Sequence, residues 1–157
     1  MTTIYMDIDM AVRIHEKTVQ VSGGGELGHL NVGRLESVLE HIKNDDYYPT
    51  FLDKLTHLVF SANKFHCFQD GNKRISISLG IQFLNLNGYL YCIERFTKEM
   101  ENISYHMAAG NISKELLKRI LYSIINEPDF PENLKLEIYG CMLRTNLQRN
   151  SNDKNIL

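Results

Sequence analysis

The chain is 157 residues long, 43% hydrophobic and 23% charged, with a net charge of −2. That is one domain's worth of ordinary globular sequence, long enough to bury a core without disulfides or metals. The near-neutral charge excludes a field built to attract nucleic acid or an anionic membrane. Cys67, Cys92 and Cys141 are an odd number with no CxxC pairing, which fits reduced thiols better than a disulfide framework or a zinc site. Asp7 and Asp9 stand where a signal peptide needs positive charge, and no stretch nears the roughly 18 apolar residues of a membrane span. A soluble cytoplasmic protein is expected.

In chain order, Ile8, Ala11, Val12, His15 and Val19 form one helical stripe over residues 8–19, with Asp7 as candidate N-cap. Ser22-Gly23-Gly24-Gly25 breaks the chain into a loop. Leu35, Val38, Leu39 and Ile42 signal a second helix, which cannot pass through Pro49. Phe51, Leu55, Leu58, Ala62 and Phe65 give the clearest helix, ended by the non-periodic run His66 to Asn72. Residues 75–86 alternate apolar and small polar side chains like a strand. The run is about twelve residues long and closed by Asn87-Gly88 in the manner of a helix C-cap, so it reads as a helix buried on nearly every side. A short apolar piece, Tyr89–Ile93, precedes helices over about 96–108, 113–126 and 131–143, the last opened by Pro131 at a first-turn position. The expectation is one all-α domain of six or seven helices over residues 1–143, with 144–157 a polar, disordered tail.

The chemistry gathers in nine residues. If a helix begins near Gly71, its first free backbone N–H groups, at about Asn72 to Arg74, make an anion site. Gly71 lets the backbone approach a phosphate. Arg74 can fork onto phosphate oxygens and Lys73 adds a compact positive charge. Asp70 suits magnesium beside phosphates, and His66 can take the proton of an attacking hydroxyl near neutral pH. Each residue alone has an ordinary structural explanation: Asp-Gly-Asn is a turn and Lys-Arg a solvated pair. The GxxxxGK[ST] phosphate loop is missing.

As a string, His66-Cys67-Phe68-Gln69-Asp70-Gly71-Asn72-Lys73-Arg74 resembles the signature HxFx[DE][GA]N[GK]R of the Fic/Doc family at all seven specified positions. Gly33–Leu39 and Phe83–Tyr89 resemble stretches flanking that motif in death-on-curing (Doc) proteins, so the likeness covers about residues 8–125. It implies an all-α Fic fold with the motif looped between two central helices. It also implies His66 as general base, Asp70 as catalytic carboxylate and magnesium ligand, and Gly71, Asn72, Lys73 and Arg74 as nucleotide and phosphate binders. Phe68 would be the buried anchor of the loop. Cys67 departs from the proline many members carry, and Tyr47–Thr50 is where a target-aligning flap is expected.

Most Fic proteins have glycine at the position of Lys73 and transfer AMP to a protein hydroxyl. The Doc branch has lysine there, reverses the nucleotide and moves the γ-phosphate to a threonine of elongation factor Tu. Ile77 stands where AMP-transferring members often carry a further arginine. The resemblance therefore favours a Doc-like toxin kinase that uses ATP or another nucleoside triphosphate with Mg2+. Its implied partners are a target protein and a cognate antitoxin, without nucleic acid or membrane. An AMP transferase and a non-catalytic Fic-fold binding module are the alternatives. Thr97–Asn102 fits the pattern [ST]xxxE[GN], whose glutamate blocks the phosphate-binding arginine in AMP-transferring members, but it is short, lies in an amphipathic helix and is read as structural. The other histidines, His15, His29, His41, His57 and His106, have no metal-ligand spacing and are read as structural or surface.

Overall fold

The computed structural model describes residues 2–21, 32–64 and 72–155. Seven α-helices lie within them: α1 (Ile8–Val21), α2 (Val32–His41), α3 (Phe51–Lys64), α4 (Asn72–Leu86), α5 (Ile93–Ala108), α6 (Lys114–Asn126) and α7 (Glu132–Asn155), with a 3₁₀ turn, Leu90–Cys92, leading into α5. No strand occurs among the described residues. The architecture is all-α, and α4 has the helical rather than the strand form. The Ser22–Gly25 break and His29 lie outside the described residues.

The helix starts follow local chemistry. Asp7 caps α1 by accepting from Met10 N–H at 2.8 Å. Thr50 and Asp53 make a reciprocal capping box at the head of α3, with Thr50 Oγ1 accepting from Asp53 N–H and Asp53 Oδ2 from Thr50 N–H. Ser113 Oγ accepts from Leu116 N–H to start α6. The Pro131 carbonyl accepts from Lys135 N–H, so Pro131 caps α7 one residue ahead of the first-turn position expected for it.

Helices α3 and α4 form the centre. Leu55, Leu58, Val59 and Ala62 of α3 meet Ile75, Leu79, Phe83 and Leu84 of α4, all at most 1% exposed. Phe96, Met100 and Ile103 of α5 close the core from one side and Leu117, Ile120 and Leu121 of α6 from another. Gly80 is what lets α4 and α5 approach. A Cβ there would stand 2.5 Å from Phe96 Cζ and 3.1 Å from Val59 Cγ2. At the other end of α4, Gly88 has φ +84°. Tyr89 N–H reaches back to Leu84 O and Gly88 N–H to Asn85 O, which is the expected glycine C-cap in its Schellman form. Asn87 adds what no local pattern announces. Its side-chain amide binds Ile4 twice, accepting from Ile4 N–H at 2.8 Å and donating to Ile4 O at 3.0 Å.

The expected tail needs correction. Residues 144–155 are not an unstructured tail, because α7 continues through them to Asn155. Thr145 occupies a buried position on its inner face and accepts from Asn111 Nδ2, while Gln148 Oε1 accepts a second bond from the same amide. A buried threonine breaks the apolar period, which is why the pattern fades at that point. Lys54 of α3 is 2% exposed, with Nζ donating to Ile42 O and to Asp45 Oδ1 at 2.7 Å each.

Candidate active site

The motif bridges the last residue of α3, Lys64, to the first of α4, Asn72. His66, Cys67, Phe68, Asp70 and Gly71 lie outside the described residues, as do the side chains of Asn72 and Lys73. The start of α4 at Asn72 follows Asp70-Gly71 directly. The N–H groups of Asn72, Lys73 and Arg74 are thus in the first turn of a fifteen-residue helix, where they lack carbonyl partners in the preceding turn and sit at the positive end of the dipole.

The neighbouring frame is fixed from below. Ile75 and Leu79 are fully buried on the α3 side, which pins the first two turns of α4. Asn63, three residues before His66 and 2% exposed, donates from Nδ2 to Ser104 O of α5 at 3.1 Å. Its Oδ1 is buried without a hydrogen-bond partner among the described residues.

Arg74 is exposed and stands at one side of a groove of about 460 Å³ between α1, α4 and α5. Ile14, Ile77 and Ile81 give its apolar wall, Lys17 and Arg74 its positive charge, and Thr97 and Glu101 its far side. Thr18 of α1 and Ser78 of α4 hydrogen-bond across it at 3.1 Å. Arg74 is therefore brought together with Lys17, a cation the sequence reading missed. Lys17 belongs to no motif and lies on the polar side of an amphipathic helix, so no signal in the chain marks it. Ile77, noted for not being arginine, is a wall of this groove. Two of the three specified positions of the Thr97–Asn102 pattern, Thr97 and Glu101, also line it, although the segment reads as structural by its helical period.

Tyr47–Thr50 is placed elsewhere. It precedes α3, whereas the motif follows it, and the fourteen residues of α3 separate them by about 20 Å of helix. Tyr48 stacks on His57 at 4.5 Å between ring centroids instead of approaching Arg74. A flap role for this segment has no support in that arrangement. His57 itself is part of a packed cluster: its Nδ1 accepts from Lys114 Nζ at 2.8 Å. Burial first, then the charges of Lys114 and His41, push its pKa down to about 4. His15 and His106 are buried, and burial lowers the pKa of His106. These are structural histidines.

The family model of the Fic/DOC family matches residues 5–84, just over half of the chain. The chain belongs to the Fic/DOC family. The matched part runs from just before α1 into the last turns of α4 and so contains the whole motif, while α5, α6 and α7 lie beyond it. Fic/DOC proteins are generally transferases that move a nucleotide-derived group onto a protein, and the all-α frame here is the one the family implies. Neither a curated protein nor a solved structure matches the chain. No described helix is long and apolar enough to cross a membrane. Among the described residues, no three His, Cys, Asp or Glu side chains gather to hold a metal ion; Asp70 lies outside them.

Proposed function

We propose that this Fic/DOC chain is a Doc-like toxin kinase, transferring the γ-phosphate of ATP to a hydroxyl of a target protein. The observation that carries the reading is the start of α4 at Asn72, straight after Asp70-Gly71 and with Lys73 in its first turn. A phosphate bound there would receive backbone N–H groups, the helix dipole and the Arg74 guanidinium together. By the resemblance, Lys73 would add bulk and charge where an α-phosphate otherwise rests, and this favours the reversed nucleotide of the Doc branch. His66 is the group suited to take the hydroxyl proton of the acceptor as the oxygen attacks phosphorus. Magnesium takes oxygen ligands, so Asp70 is the residue that would hold it, and when bound it would neutralise charge on the phosphates.

The target hydroxyl would belong to a translation component such as a threonine of elongation factor Tu, and a separate antitoxin would restrain the enzyme. Incubating the protein with cell lysate and either γ-labelled or α-labelled ATP tests the reaction. Entry of the γ-label alone into protein supports the kinase.

One observation favours a second reading. Thr97 and Glu101 line the groove that Arg74 also lines, and a glutamate set against the motif arginine belongs to the AMP-transferring members. Entry of the α-label would make the chain an AMP transferase, and Glu101→Gly raising that transfer would make Glu101 its restraint. Entry of neither label, by a protein that remains folded, would leave a binding module.

A further inference from the structure

Arg74, Ile77, Ser78 and Ile81 follow one another at three- and four-residue steps and all line the groove between α1, α4 and α5. They form one face of α4, which runs for about 12 Å from Arg74 to Gln82. The face starts in the first turn, beside the free backbone N–H groups, and becomes apolar one turn further on. Ile14 of α1 extends the apolar wall, and Lys17 of α1 adds a second cation. Glu101 of α5 brings a carboxylate. Among the described residues, Lys17, Arg74 and Glu101 have no ion-pair partner. The groove thus combines two unpaired cations, a wall of three isoleucines and an unpaired carboxylate.

We infer that this groove holds the base and ribose of the donor nucleotide, with Lys17 a phosphate-binding residue outside the motif. This rests on the γ-phosphate reading above. With the γ-phosphate at the first turn of α4, the rest of the nucleotide has to leave that turn, and the face beginning at Arg74 leads into the groove. Charge selects the occupant: Lys17 and Arg74 match the remaining phosphates. The isoleucines give a planar base close contact and shelter from water. Glu101 can accept from the ribose hydroxyls, a bond by which carboxylates commonly read a ribose. The volume, about 460 Å³, falls within the roughly 300–1,000 Å³ of small-ligand pockets. An inorganic polyphosphate would satisfy the cations alone, whereas a nucleoside triphosphate uses all three features. Ile77 and Ile81 are then the residues that select a nucleotide over bare phosphate.

Calorimetric titration of the full chain with ATP and, separately, with inorganic tripolyphosphate, each with Mg2+, tests this. Wild type should bind ATP at least about tenfold more tightly than tripolyphosphate. Ile81→Asn should weaken ATP by about tenfold and leave tripolyphosphate unchanged. Glu101→Gln, at an exposed position, should weaken ATP alone by a few-fold, and it carries the test if Ile81→Asn does not fold by circular dichroism. Lys17→Glu should weaken both ligands by about tenfold or more. ATP bound no more tightly than tripolyphosphate, or ATP binding that all three substitutions leave unchanged, overturns the groove assignment and leaves the kinase reading standing. Tighter ATP binding by Glu101→Gln overturns the ribose contact and makes that carboxylate a restraint. Binding of neither ligand by the folded wild type overturns the nucleotide reading itself, and this inference with it.

Discussion

Gly80 of α4 faces the ring of Phe96 on α5 so closely that a single added Cβ would stand 2.5 Å from Phe96 Cζ. Phe96 is fully buried and cannot swing away. Gly80→Ala would gain helix propensity, about 1 kcal/mol in an exposed helix, but overpacking of this kind costs about 1–3 kcal/mol. The clash is expected to win and lower the thermal midpoint by several degrees. The double variant Gly80→Ala, Phe96→Leu should recover part of the loss, and a Gly80→Ala chain as stable as wild type would contradict the close α4–α5 contact.

His57 predicts a pH dependence of stability. Its pKa is about 4 in the folded chain against an ordinary 6.5, so the unfolded chain binds more protons between those values. Neutral His57 contributes fully above pH 6.5, and that contribution is lost as pH falls toward 4. Allowing for its partial exposure, the loss is about 2 kcal/mol, and His106, also lowered by burial, acts in the same direction. Urea unfolding at pH 7, 5.5 and 4 measures it. His57→Gln should flatten that fall, and an unchanged slope would assign it to other groups.

Much of this frame could be read from the chain because apolar period and local caps agree. Leu55, Leu58 and Ala62 sit in the core where the 3.6-residue period puts them, and Asp7 caps the helix it precedes. The strand-like alternation at 75–83 resolves into two sides of one helix. Ile75, Leu79 and Phe83 enter the core, whereas Ile77 and Ile81 wall a groove. Lys17 could not be found this way, since what places it on the same groove as Arg74 is the crossing of three helices. The end of α7 was misread because Thr145 satisfies its buried hydroxyl through Asn111, a partner 34 residues away.

His66→Ala should abolish group transfer and leave nucleotide binding largely intact. Loss of a general base typically costs about 10²–10⁴-fold in rate. Turnover by the folded variant at the wild-type rate would remove His66 from the chemistry. In a bacterial host, the same substitution should relieve the growth arrest that wild type causes; equal growth of both strains would dismiss the toxin reading and leave the enzyme reading intact.

Activity should require magnesium through Asp70. Asp70→Asn keeps size and hydrogen bonding but loses the charge a hard cation prefers, so its activity should need far more Mg2+ for half-saturation. Full wild-type activity in excess chelator would remove the metal from the mechanism.

Lys73→Gly is the sharpest probe of reaction type. It should lose γ-phosphate transfer and open the space for AMP transfer, with α4 and Arg74 still able to hold a phosphate. Losing a charged contact worth about 1.5–3 kcal/mol weakens nucleotide binding by roughly ten- to a hundredfold. If Lys73 were merely a surface cation, only the glycine's helix cost of about 1 kcal/mol would remain. Assaying both labels on the folded variant separates the two.

The paired bonds between Ile4 and Asn87 join residues 83 apart in sequence, and closing so long a loop brings its reward only after the intervening chain is organised. The first residues of the chain are therefore expected to be secured late in folding, after the C-terminal turn of α4 has formed. Since α1 follows them at once and supplies Ile14, Lys17 and Thr18 to the groove, the wall opposite Arg74 is expected to be assembled after α4. The Ile4 amide, held by Asn87, is a natural reporter: its exchange with solvent deuterium would time the moment at which the cleft beside the motif is complete.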